Sequence, residues 1–154
     1  MHKVNFTQIK TDKCYINNNL QKNEQQLLVK RFSFTYLERL HLQVDFNRVF
    51  KNGLKLENKD IKIFVYNRND GVVLRRVGLV TSRNVGNAVV RNKTKRRLKE
   101  IFRLNKNYLK PSLDMIFVLK IETTFLKYND LKKNIFDLLK KFGFYRDSKC
   151  QENT

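Results

Sequence analysis

Tryptophan is absent from this chain, proline occurs once in 154 residues, and cysteine and histidine occur twice each. The cysteines, Cys14 and Cys150, stand one near each end. They exclude a disulfide framework, leave no ligand set for a structural zinc, and read as ordinary reduced thiols. His2 and His41 are isolated, and neither has a neighbour at metal-ligand spacing. No apolar run approaches the ~18 residues of a membrane-spanning helix, and the start of the chain lacks the basic-then-apolar layout of a signal peptide. The expected location is the cytoplasm. Acids are scarce as well: 14 Asp and Glu face 33 Lys and Arg, a formal net charge of +19. That imbalance points to an anionic partner, nucleic acid before an acidic membrane surface. With 41% hydrophobic and 12% aromatic residues, the chain can bury one core and has no room for two comfortable domains.

The charge is concentrated. Arg75 to Lys110 holds twelve of the 33 cations and one acid, Glu100, and so carries +11 of the +19. Inside this stretch the apolar pattern changes from the alternation of Val77, Leu79 and Thr81 to helical spacing at Val90, Thr94, Leu98, Ile101 and Leu104, which reads as a strand entering a helix. Gly86 supplies the turn, and Asn87 stands where an N-cap oxygen is wanted, so the helix begins near Ala88. At ~100° per residue, Arg91, Asn92, Lys95, Arg96, Lys99 and Arg103 fall opposite the apolar stripe, with Lys93 and Arg97 flanking it. Seven cations in the thirteen residues from Arg91 to Arg103 repel one another. A polyanion reverses the sign of that cost.

Residues 1–30 are rich in Asn, Gln and Lys without a sustained period and read as a flexible basic extension. A domain over 31–144 follows, then a polar, disordered tail over 145–154. Leu42, Phe46, Val49 and Phe50 share a stripe of a helix spanning about Gln43 to Asn52, closed by Gly53 as a C′ glycine. Phe46 and Phe50, one turn apart, pack against a sheet on this pattern. Ile61–Tyr66 reads as a strand, Asn67–Gly71 as a turn with Asp-Gly as its strongest cue, and Val72–Thr81 as the second arm of a hairpin. Pro111 marks a boundary, after which Leu113–Ile121 reads as a central buried strand. Tyr128, Leu131, Ile135, Leu138, Leu139 and Phe142 form the inner face of a last helix stopped by Gly143. The order helix, strand, strand, helix, strand, helix predicts an α+β fold, a two-layer α/β sandwich.

The run Val85-Gly86-Asn87-Ala88-Val89-Val90-Arg91-Asn92-Lys93-Thr94-Lys95-Arg96-Arg97-Leu98 resembles the signature of the protein subunit of bacterial ribonuclease P, a GNAVxRNxxKR run opening a helix. The resemblance covers about Leu40 to Phe144. It implies contact with a catalytic RNA subunit for Arg91, Asn92, Lys93, Lys95, Arg96 and Arg97, to which Arg83 and Lys99 on the same cationic surface are added. Asn84 departs from the pattern, which commonly has a second basic residue there. The resemblance further implies that Phe46, Phe50 and Phe64 line a cleft for the single-stranded 5′ leader of precursor tRNA. Lys62 and Tyr66 join them as residues two apart on one strand face. Implied too are a mixed, ribosomal-protein-like sheet, a short strand near Leu54–Leu56, a left-handed βαβ crossover, and one protein per RNA subunit.

A nuclease acting alone needs clustered carboxylates around Mg²⁺ or a positioned histidine base. Asp45, Asp60, Asp70 and Asp114 are scattered, and only folding can group them. The expectation is no catalytic and no metal-binding residue in the protein, and the resemblance implies that Mg²⁺ is held mainly by the RNA subunit, which cuts. Two readings compete. A ribosomal-type RNA-binding protein would bind ribosomal RNA and leave precursor tRNA processing unaffected. A peripheral membrane protein would need the apolar stripe of the basic helix, which the core also requires.

Overall fold

The computed structural model describes residues 33–145. The expected N-terminal extension, the tail beyond Tyr145, His2 and both cysteines lie outside the described residues. A 3-10 turn at Tyr36–Glu38 leads to helix α1 (Gln43–Asn52), strands β1 (Leu54–Glu57), β2 (Ile61–Asn67) and β3 (Arg76–Val80), and helix α2 (Ala88–Asn105). Strand β4 (Leu113–Leu119), a short helix α3 (Ile121–Phe125) and helix α4 (Tyr128–Lys141) complete the domain. The strands form one mixed sheet in the order β1-β2-β4-β3, antiparallel except where β3 meets β4. The fold is α+β as expected, and β1 stands where the resemblance put it.

The expected hairpin does not form. β2 pairs with β1 and β4, and β3 lies parallel to the far side of β4. Only Val118 of β4 is less than fully buried, so this apolar strand takes the centre of the sheet and displaces β3 from β2. Residues 72–75 are not strand; they cross the start of β4, where Ser112 Oγ donates to Val72 O at 2.6 Å and Arg75 Nε to Leu109 O at 2.9 Å. The Asp-Gly turn is real but local: Asp70 accepts from Val72 N–H at 3.0 Å.

Each face of the sheet has its own core. Leu56, Ile61, Ile63, Val65, Val77, Met115 and Phe117 pack with Leu98 and Ile101 of α2 and Leu131, Ile135 and Leu139 of α4. On the other face Val49 and Phe46 of α1 meet Leu40, Ile116, Phe64 and Tyr66. Register places Phe64, Ile116 and Gly78 in one row across β2, β4 and β3. Gly78 is required there, because a Cβ would come within 2.7 Å of the Phe46 ring. Gly78→Ala is expected to cost about 1–3 kcal/mol through displacement of that ring, read from the urea midpoint. An unchanged midpoint would mean that the ring is loosely seated.

Asn87 Oδ1 accepts from Val90 N–H at 2.9 Å and opens α2 as expected. Gly86 adopts φ 132°, which only glycine tolerates easily. The buried stripe of α2 ends on Phe102 and Asn105, whereas Leu104 is exposed. Leu104 lies about 120° from Leu98 around the helix and Phe102 about 40°. Gly53 closes α1 but keeps φ −80°. It is needed because a Cβ would stand 2.3 Å from Val49 O. Leu42 is exposed at the N-cap of α1, Ile121 opens α3 rather than ending β4, and Phe142 is exposed because helical periodicity ends at Lys141. Gly143, at φ 71°, stops α4 as expected.

Candidate nucleic-acid interface

The sheet face under α1 carries Lys62, Phe64 and Tyr66 in alternation on β2, opposite Val118, Ile116 and Asp114 on β4. Phe50 meets Phe64 edge-on at 4.9 Å between centroids and remains 40% exposed. Phe50 is therefore the more open of the two rings on α1, while Phe46 is half-buried on Gly78. Arg48 lies over the Tyr66 ring at 5.8 Å. At the other end of this surface Glu57 accepts from Lys55 at 2.6 Å and Lys120 at 2.8 Å and lies 3.7 Å from Lys62. Hydrogen bonds from Lys120 and then Lys55 hold the Glu57 carboxyl at about 2, so it partly neutralises Lys62 throughout the neutral range. Because that value lies below the ordinary 4.5, the stabilisation is complete above about pH 4.5 and is lost as pH falls toward 2.

Folding does group two of the scattered acids. Asp114, fully buried, accepts from Arg76 Nη2 at 2.6 Å and Nε at 2.8 Å, and pairs closely with Arg68. Asp45, reached from α1, pairs with Arg48 and accepts from Arg76 Nη1 at 3.1 Å. Arg48 also lies 3.6 Å from Asp114. The Asp114 hydrogen bond pushes the Arg76 guanidinium further up. These carboxylates face guanidinium groups, which suits a clamp of α1 onto β3 and β4 and does not suit a metal ion. Among the described residues no three His, Cys, Asp or Glu stand together as a metal site.

The basic helix is built differently. Among the described residues, ion pairs use Arg48, Lys55, Lys62, Arg68, Arg76, Arg103, Lys106 and Lys120. None of Arg83, Arg91, Lys93, Lys95, Arg96, Arg97 or Lys99 is among them. Glu100, the one acid of the stretch, is taken by Arg103 at 2.5 and 2.9 Å, which lowers its carboxyl. Arg91 donates to Gly86 O at 2.7 Å and Arg97 to Leu126 O at 3.0 Å, which orient both guanidinium groups without neutralising them. Arg83, Asn92, Lys93 and Arg96 are exposed. Lys95 and Lys99 turn toward β3, where they share a groove with Phe46, Arg39 and His41. Sequence reading missed Arg39, His41, Arg48, Asp114 and Gly78 in this context. The neighbours that draw them into this surface are distant along the chain, Lys95 and Lys99 for Arg39 and His41, Tyr66 for Arg48, Arg68 and Arg76 for Asp114, and Phe46 for Gly78.

A helix whose cations, Arg103 apart, meet no neutralising acid among the described residues, seated on a small mixed sheet that shows aromatic rings on its opposite face, is the layout of an RNA-binding protein. No helix among the described residues is long and apolar enough to cross a membrane. The sequence matches the family Ribonuclease P over residues 34–143. The ribonuclease P protein component of Clostridium novyi (strain NT) is 33% identical over 108 residues, covering 70% of this chain and 96% of that protein. That of Clostridium botulinum (strain Eklund 17B / Type B) is 37% identical over 114 residues, covering 71% and 91%. Among solved structures, the RNase P protein of Staphylococcus aureus aligns with a TM-score of 0.64 at 26% identity, covering 71% of this chain and 98% of that one. The RNase P protein from Thermotoga maritima aligns at 0.60 and 30% identity, covering 68% and 96%. The chain belongs to the ribonuclease P protein family.

Proposed function

We propose that this chain assists a catalytic RNA in endonucleolytic removal of the 5′ leader from precursor tRNA, one protein per RNA subunit, in the cytoplasm. The RNA subunit is bound through Arg83, Arg91, Asn92, Lys93, Lys95, Arg96, Arg97 and Lys99. The leader is bound through Phe50, Phe64, Tyr66 and Lys62, with Phe46 holding the floor of that surface in place. The observation that carries this reading is the run of cations from Arg91 to Lys99 on α2, none of which has a carboxylate partner among the described residues, the one acid of the helix being taken by Arg103. Cations that neutralise RNA phosphates release the counterions condensed on the RNA, which favours assembly most at low salt. Phosphate contacts fix register and carry little sequence information. Stacking on open aromatic faces tolerates any base, as leaders that differ between tRNA genes require. Asp45 and Asp114 are committed to arginines, so Mg²⁺ is assigned to the RNA subunit and no step is routed through a protein-held ion.

The test is reconstitution of the purified chain with its cognate RNA subunit at low Mg²⁺. Leader release above that of the RNA alone is expected, and no gain refutes the reading. Within the assembled enzyme, Phe50→Ala is expected to weaken binding of precursor tRNA about tenfold. The melting temperature should stay near wild type, and a precursor with a one-nucleotide leader should be unaffected. Equal losses for long and short leaders would remove Phe50 from the leader site.

A further inference from the structure

Residues 34–40 form a fixed wall along the free edge of β3. Leu40 N–H donates to Val77 O at 3.1 Å, Phe34 meets Phe102 edge-on at 5.7 Å, and Lys106 pairs with Glu38 out of solvent. Opposite this wall stands α2 with Lys95 and Lys99. Between them lies a groove of about 280 Å³ with Leu40, Phe46, Gly78 and Leu79 among its lining. The same groove is lined by Arg39, His41, Lys95 and Lys99 and, among the described residues, by no carboxylate. Glu38, the acid next to Arg39, is held by Lys106 and by the backbone N–H of Thr35 at 2.8 Å. Arg39 lies over the Phe34 ring at 5.0 Å, and His41 stacks on Tyr36 at 4.3 Å. The volume lies just below the ~300–1,000 Å³ usual for ligand sites. It accommodates one ring system and excludes a duplex.

We propose that this groove receives one unpaired nucleotide of the RNA subunit, its base against Leu40, Phe46 and Leu79 and its phosphate between Arg39, Lys95 and Lys99. An apolar floor beside cations without an acid matches a nucleobase joined to a phosphate. A base already paired in a helix has no face to offer such a floor. The assignment rests on the reading of α2 as the RNA-subunit-binding helix, since Lys95 and Lys99 belong to both surfaces. It extends that contact from the exposed side of the helix around to the edge of the sheet.

The experiment uses the full chain with Cys14→Ser and Cys150→Ser, carrying a photo-crosslinker at His41→Cys or, separately, at Arg96→Cys, in the holoenzyme with precursor tRNA. Position 41 is expected to cross-link to an unpaired nucleotide of the RNA subunit, and position 96 to the same RNA elsewhere. Cross-links from 96 with none from 41, or from 41 only to precursor tRNA or to paired nucleotides, overturn the groove assignment and leave the reading of α2 standing. No cross-link from either position removes both. Independently, Arg39→Gln is expected to weaken RNA-subunit binding about tenfold and to lower the slope of log affinity against log salt by about one. An unchanged affinity and slope overturn the proposal.

Discussion

Changing Arg91 and Arg96 together to alanine lowers affinity for the RNA subunit by about a hundredfold near 0.1 M salt and reduces the salt slope by about two. Each change removes one cation that no acid of the described domain neutralises, so little of the loss passes through the fold. Arg96 is exposed, and Arg96→Ala alone is expected to leave the melting temperature unchanged. Arg91 also holds the turn, through Gly86 O at 2.7 Å and Arg83 O at 3.4 Å. Its replacement should therefore cost a further ~1 kcal/mol of stability. Titrations of the double variant at several salt concentrations decide the matter. Weaker binding with an unchanged slope, accompanied by a fall in melting temperature, would transfer the effect from phosphate contact to folding.

Asp114→Asn, on the far face of the sheet, is the most destabilising single change expected, about 3–5 kcal/mol. The carboxylate is fully buried and faces Arg68 and Arg76 at contact distance, with Arg48 at 3.6 Å. An amide of the same size removes the charge and leaves the arginines where water is scarce. The corresponding fall in melting temperature is roughly 15 °C or more for a domain of this size. Urea denaturation with an unchanged m-value checks it. A shift below about 3 °C would show that the arginines find water when Asp114 is neutral. Removing this clamp also frees α1 from β4, so any variant that survives should lose leader binding along with stability.

Helix caps were legible in the chain and long-range pairings were not. Asn87 before an apolar stripe and Gly53 after one bound their helices to the residue, because a cap acts within one turn. β4 was legible as central because, Asp114 apart, it is apolar along its length, as a strand buried on both faces is. The hairpin failed for the same reason. Asp70-Gly71 favours a turn whichever strand comes next, and the choice of neighbour for β2 was settled by the greater apolar burial of β4. The cationic side of α2 was legible because its spacing is helical. Phe46 was not: whether its ring packs or stays open depends on Gly78 in another strand, and nothing near Phe46 announces that. The Asp45–Arg76–Asp114 clamp was hidden likewise, since Asp45 and Asp114 stand as scattered acids and Arg76 as one cation of the basic stretch until three elements meet.

The strand that completes the sheet is the last one to be made. β4 touches both β2 and β3, so a nascent chain that stops short of Leu119 holds only a two-stranded ribbon and a lone strand, neither of which persists in water. Assembly must therefore wait for distant segments to meet, which slows it relative to a protein of local contacts. Fragments that keep the whole basic helix but end before Leu113 should stay unstructured, and a peptide carrying the signature run cannot stand in for the protein.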